Sequence, residues 1–161
     1  MSRRTEIQMN DEEIRDYLTN SRTVILVTNG RRGHPHAVAM FYTTDDDLTV
    51  NMATYGRSQK IKNIERDPKV TLLVESGEKY EELRGLMIQG TATITEDLDK
   101  TVQVMVEATS TPDQQLPDAS ELDQDLKVAM AGKRLLIRVK PERFVSWDHS
   151  KLSAGETPAA L

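Results

Sequence analysis

Asn51-Met52-Ala53-Thr54-Tyr55-Gly56-Arg57-Ser58-Gln59-Lys60-Ile61-Lys62-Asn63-Ile64 holds a strand, a break and a helix in one short run. Leu48 to Ala53 reads as the strand, and Gly56 permits a close backbone approach at the break. From Ser58 onward, Ile61 and Ile64 mark the buried side of a short helix. That helix must stop near Asp67-Pro68, because proline cannot donate to the helix ladder and restricts the residue before it. Free N–H groups at a helix start, together with the helix dipole, favour an anion. Arg57 adds a planar fork of donors, Ser58 a hydroxyl and Lys60 a point charge. Cations so near a helix start oppose the dipole, and a phosphate compensates them. The residues alone also fit a solvated basic helix start. Neither G-x-x-x-x-G-K-[ST] nor G-x-G-x-x-G occurs, so the common nucleotide motifs lend no support.

Working outward, Asn10 caps a helix through Asp11-Glu12-Glu13 in a capping-box pattern, and Ile14, Tyr17 and Leu18 form its apolar face. Thr23 to Thr28 is β-branched and nearly continuous, as expected of a strand buried on both faces. Asn29-Gly30 begins a turn. A strand from His36 to Thr43, the turn Asp45-Asp46-Asp47 and the strand Leu48 to Ala53 follow, so the first three strands read as a meander. Downstream, Val70–Val74 and Leu86–Ile94 are strands flanking a polar excursion from Glu75 to Leu83. Asp97 to Ala108 is helical. Thr109 to Ser120, rich in Thr, Pro, Asp and Gln, is expected to be a mobile loop. A helix from Glu121 to Ala131 ends at Gly132. Two strands, Arg134–Lys140 and Glu142–Trp147, are expected on either side of Pro141. Short strands, hairpin turns and few helices give a mainly β (α+β) class: an antiparallel barrel with peripheral helices. Alternating βαβ units are missing, which argues against a parallel nucleotide-binding sheet.

The 161 residues fit one domain, read as residues 1–152 with a disordered tail at 153–161. A net charge of −5 argues against broad nucleic-acid or anionic-membrane partners, which need a basic face. Only 37% of the residues are hydrophobic, so part of the apolar surface is expected against a partner subunit. Cysteine is absent, which removes disulfides, thiolate nucleophiles and cysteine-ligated metals. The start, MSRRTEIQMNDEE, lacks the apolar core of a secretory signal, and a cytoplasmic location is the expectation. His34 and His36 share a strand face, but catalytic zinc needs a third ligand that the sequence does not offer. Asp45-Asp46-Asp47 lacks the spacing of a calcium loop. Met87, Met105 and Met130 read as core fillers.

Gly56-Arg57-Ser58-Gln59-Lys60 through Asn63-Ile64-Glu65-Arg66-Asp67-Pro68-Lys69-Val70 resembles the phosphate-binding stretch of pyridoxamine 5′-phosphate oxidase-like proteins. Gly33 to Phe41 and Tyr80 to Ala92 resemble that family's second and later barrel strands, in matching order over roughly residues 10 to 148. The resemblance implies a split β-barrel homodimer with the cofactor at the subunit interface. It places Arg57, Ser58 and Lys60 on the cofactor phosphate. Backbone around Val38 and Ala39, with Asn51, Ala53 and Thr54, borders the tricyclic ring. His36 stands where the oxidase carries a phosphate-contacting arginine, and Gln59 where a second basic residue is common. Both departures argue against oxidation of pyridoxamine phosphate itself. Val145 to Leu152 resembles a C-terminal signature of the flavin/deazaflavin branch. There Trp147 is implied to stack on the cofactor of the other subunit, although a lone Trp ending a strand also fits plain packing.

The resemblance therefore implies an oxidoreductase using coenzyme F-420 in preference to FMN, and passing a hydride to a small unsaturated organic substrate. No catalytic side chain is named, because in such enzymes the cofactor performs the redox step. A non-catalytic flavin carrier or sensor, and a haem-binding split barrel with His149 or His36 as axial ligand, are the alternatives.

Overall fold

The computed structural model describes residues 3–110 and 118–152. The strands are β1 (Thr23–Thr28), β2 (His36–Phe41), β3 (Thr43–Thr44), β4 (Val50–Tyr55), β5 (Lys69–Ser76), β6 (Arg84–Thr95) and β7 (Arg134–Asp148). The helices are α1 (Arg3–Glu6), α2 (Asp11–Asn20), α3 (Gln59–Arg66), α4 (Leu98–Thr109) and α5 (Gln124–Ala131). The strands form one antiparallel sheet in the order β2-β1-β5-β6-β7-β4-β3, curled as a split barrel. The tail at 153–161 and residues 111–117 of the expected mobile loop lie outside the described residues.

The period-2 alternation of the strands builds the core. Val24 and Leu26, Leu72 and Val74, Leu86 and Ile88, Ile137 and Val139, Val50 and Met52 all face inward and are buried. Each such aliphatic side chain contributes roughly 1.5–3 kcal/mol through burial. Helices α2 and α3 join the same cluster through Ile14, Tyr17 and Leu18, and through Ile61 and Ile64. The capping box on α2 is present: Glu13 N–H donates to Asn10 Oδ1 at 2.9 Å, and Asn10 N–H donates to Glu13 Oε2 at 2.7 Å.

Four expectations are corrected. Strand β1 is buried on one face only; Ile25 and Val27 are half-exposed, because the sheet carries no helix on that side of β1. The first strands are not a meander. β1 pairs with β2 and β3 pairs with β4, but β4 joins β7 instead of β2. Between β2 and β3 the buried Tyr42 turns inward and donates its hydroxyl to the Leu18 carbonyl at 2.5 Å, drawing the chain out of the β2 line. The strand expected from Leu48 starts at Val50, since Leu48 adopts a left-handed φ of 63° inside the Asp45–Thr49 turn. Finally, Pro141 does not split the last strand. β7 runs through it with a register shift opposite Gln89/Gly90, a bulge that tolerates the missing donor. Gly90 is required there, since a Cβ would stand 2.4 Å from the Lys140 carbonyl oxygen.

Several carboxyls that tie these elements together sit below the ordinary carboxylate range. Lys151, then the Asn10 backbone, lowers Glu13; the Lys69 backbone, then Asn29, lowers Asp67; Thr91, then Lys69, lowers Glu142. A depressed folded-state value means that the stability is present above the ordinary values of 4.5 for Glu13 and Glu142 and 3.8 for Asp67, and is lost as pH falls through the lowered ones. The thermal midpoint is therefore expected to stay nearly level from pH 8 to 5 and to drop between pH 4.5 and 3, as followed by circular dichroism.

Candidate functional site

The start of α3 has free hydrogen-bonding capacity in a partly enclosed place. Ser58 is the N-cap but makes no side-chain cap bond, and its Oγ is buried without a partner. The half-buried Lys60 folds back so that Nζ donates to Thr54 Oγ1 at 2.9 Å. It has no carboxylate within ion-pair distance among the described residues, and burial holds its pKa below that of an ordinary lysine. His36, on the inner side of β2, has a buried Nδ1 without a partner. Gln59 donates to Asn63 at 2.9 Å, Asn63 donates to Thr28 Oγ1 at 2.9 Å, and Thr28 Oγ1 donates to the His36 carbonyl at 3.4 Å. That chain of bonds fixes α3 to β1 and β2. A buried unpaired polar atom costs about 1–3 kcal/mol, and a phosphate oxygen satisfies such donors. The residues present thus fit an anionic group, with Arg57 exposed and able to swing over it.

Beside this start, the β1–β2 loop and α3 enclose a cleft of about 1040 Å³. Arg31, Arg32, Lys62 and Arg66 line it together with His34 and His36, and no carboxylate does. In a chain of net charge −5, such a concentration of one sign focuses anions. No motif in the sequence groups these four cations. Lys62 and Arg66 are spaced i, i+4 and so share a helix face, but their meeting with Arg31 and Arg32 depends on the β1–β5 pairing.

The residues expected at the ring divide into two groups. Ala39 and Ala53 line one apolar cavity of about 390 Å³, closed by α4 and α5. The Val38 side chain packs on the core, and Thr54 is the buried acceptor of Lys60. Asn51 is fully buried, donating to Thr49 O at 3.3 Å and accepting from Arg138 Nε at 3.2 Å. Trp147 lies flat over Gly85 on the outer face of the sheet, at the opposite end of β7 from Arg134. A Cβ on Gly85 would stand 2.0 Å from Trp147 Cζ2. Gly85→Ala is therefore expected to lift the chain's only tryptophan into solvent, read as a red-shifted emission maximum. His149 packs against Tyr80 at 4.5 Å between ring centroids, with Nδ1 2.9 Å from the Tyr80 carbonyl oxygen. Among the described residues, no three His, Asp or Glu side chains are grouped to hold a metal, and no helix is long and apolar enough to cross a membrane.

The sequence model of pyridoxamine 5′-phosphate oxidase matches residues 10–148. The chain belongs to that family. A conserved hypothetical protein of Mycobacterium tuberculosis is similar over 99% of this chain and 100% of its own, at 34% identity and a TM-score of 0.80. A Bacteroides thetaiotaomicron structure described as a putative 5-nitroimidazole antibiotic resistance protein has 16% identity and a TM-score of 0.67, covering 87% of this chain and 84% of its own. An F420 reductase covers 80% of this chain and 93% of its own at 21% identity and a TM-score of 0.58. These last two likenesses show the fold alone. No curated protein matches the sequence. As a member of the pyridoxamine 5′-phosphate oxidase family, the chain has the split barrel that its strand order displays.

Proposed function

We propose that this protein is a flavin- or deazaflavin-dependent oxidoreductase acting as a homodimer, with coenzyme F-420 favoured over FMN. The observation that carries the reading is the uncompensated Lys60 ammonium and the partnerless Ser58 hydroxyl at the start of α3, with the partnerless His36 ring nitrogen in the cleft that α3 lines. These groups would hold the cofactor phosphate, and Ala39 and Ala53 would border the ring. The bound cofactor would supply hydride transfer; the protein orients it, neutralises its charge and keeps water from the reacting face. Four cations in the adjoining cleft exceed what the single phosphate of FMN needs. They suit coenzyme F-420, whose phosphate leads into a carboxylate-bearing tail.

The outer face of the sheet supports the dimer. Ala39, Ile25, Leu73, Met87 and Val145 pair in one register row across β2, β1, β5, β6 and β7, and none is fully buried. A continuous apolar row of this kind marks an interaction surface. A second copy covering it would bring its own Trp147 towards the cavity edge at Ala39 and Phe41.

Single-turnover kinetics tests catalysis. Protein loaded with reduced cofactor is mixed with quinones, nitroaromatics and conjugated enones. Rapid reoxidation by some acceptors is expected; none across the panel would leave a carrier or sensor. A Soret band on adding haem, with no affinity for flavin or deazaflavin, would favour the haem reading.

A further inference from the structure

The cavity beneath α4 and α5 has a chemistry distinct from the phosphate site. Its wall combines Ala39, Phe41 and Ala53 of the sheet with Met105, Ala108 and Met130 of α4 and α5, and its one charged lining residue is Arg134. About 390 Å³ falls within the range of small-molecule pockets, and the two methionines make the wall adaptable. Arg134 is held in place by an aromatic support. Its guanidinium carbon lies 4.2 Å from the Tyr55 ring centroid, and Nη2 donates to the Tyr55 hydroxyl at 3.2 Å. Stacking fixes the plane of the fork and leaves most of its donors free. Glu96 and Asp97 line the depression on the other side of Arg134, yet neither comes within ion-pair distance. Among the described residues the guanidinium has no carboxylate partner.

A planar cation at the mouth of an apolar pocket recognises a molecule with an apolar body and one carboxylate. We infer that this cavity binds a small, flat, apolar carboxylic acid, with the carboxylate on Arg134 and the body against Met105 and Met130. As the acceptor pocket of an oxidoreductase it rests on the function proposed above. As a binding site it does not, because Met105, Ala108 and Met130 come from α4 and α5 and Arg134 from β7, all outside the phosphate cradle, while Ala39 and Ala53 form the wall it shares with the proposed ring.

The test uses apo-protein and displacement of 8-anilinonaphthalene-1-sulfonate fluorescence by two probes, 1-naphthoate and its neutral counterpart 1-naphthalenemethanol. Wild type is expected to bind 1-naphthoate about tenfold or more tightly than the alcohol, the size of a charge-assisted hydrogen bond. Arg134→Gln should erase that preference and leave the affinity for the alcohol unchanged, whereas Arg134→Lys should restore part of it. Met130→Trp, which fills the cavity, should abolish binding of both probes. Equal binding of acid and alcohol by wild type would overturn the inference. So would a preference that survives Arg134→Gln but is lost in Arg31→Gln/Lys62→Gln, which would assign the acid to the basic cleft. Titrating the same preparations with coenzyme F-420 and FMN separates the two claims. Failure of both cofactors to bind, with the naphthoate pattern intact, would remove the redox function and keep the site.

Discussion

Leu73→Asp is expected to convert the protein into a folded monomer with little affinity for flavin or deazaflavin. Leu73 sits in the middle of the apolar row, between Ile25 on β1 and Met87 on β6. In a single chain the new carboxylate faces water, and the buried neighbours Leu72 and Val74 are untouched, so the barrel persists. In the proposed dimer the same carboxylate would be enclosed by apolar side chains without a partner. Breaking an interface in this way costs about 3–5 kcal/mol, which weakens association by about two to nearly four orders of magnitude. Because Ala39 belongs both to this row and to the cavity, loss of the proposed partner would also remove one wall from the proposed ring site. Analytical ultracentrifugation at micromolar protein reads the change. A variant that remains dimeric, or a wild type that sediments as a monomer, would contradict the assigned face.

Lys60→Met is expected to move stability and cofactor affinity in opposite directions. Burial lowers the Lys60 pKa, so the folded state disfavours the charge and gains stability as pH rises through the lowered value towards that of an ordinary lysine. Methionine keeps the apolar stem and removes the charge. The apo-protein should become slightly more stable, by less than about 1 kcal/mol because the half-buried group keeps part of its solvation, and its alkaline gain should vanish. Cofactor affinity should fall by about 1.5–3 kcal/mol, or roughly 10- to 150-fold, for one lost charge-assisted hydrogen bond. A stabilised fold with a weakened ligand is the signature of a group retained for binding. Paired measurements of thermal midpoint and dissociation constant decide it; equal affinity in variant and wild type would remove Lys60 from the site.

The parts of the molecule that local chemistry determines were legible in the sequence. Asn10 and Glu13 cap each other across three residues, and Ile61, Ile64 and Pro68 bracket α3 without help from elsewhere. What escaped depends on long-range pairing. β4 and β7 meet across some eighty residues of chain, so nothing near Val50 reveals that its neighbour is Val139 and not a residue of β2. Pro141 reads as a strand break until Gly90 opposite it supplies a bulge. The stretch at the start of α3 stands out in the sequence but the cleft does not, because Arg31 and Arg32 lie in a turn whose direction only the β1–β2 register fixes. Likewise, no spacing rule sets Arg134 against Tyr55; the β4–β7 register does.

The most direct test is an equilibrium titration of purified apo-protein with coenzyme F-420 and with FMN, followed by absorbance and fluorescence at low and high salt. Micromolar or tighter binding is expected, strongest for coenzyme F-420 and weakened by salt, as befits a site built from Lys60 and the cations of the cleft. Failure of either cofactor to bind below about 1 mM at low salt would contradict the account.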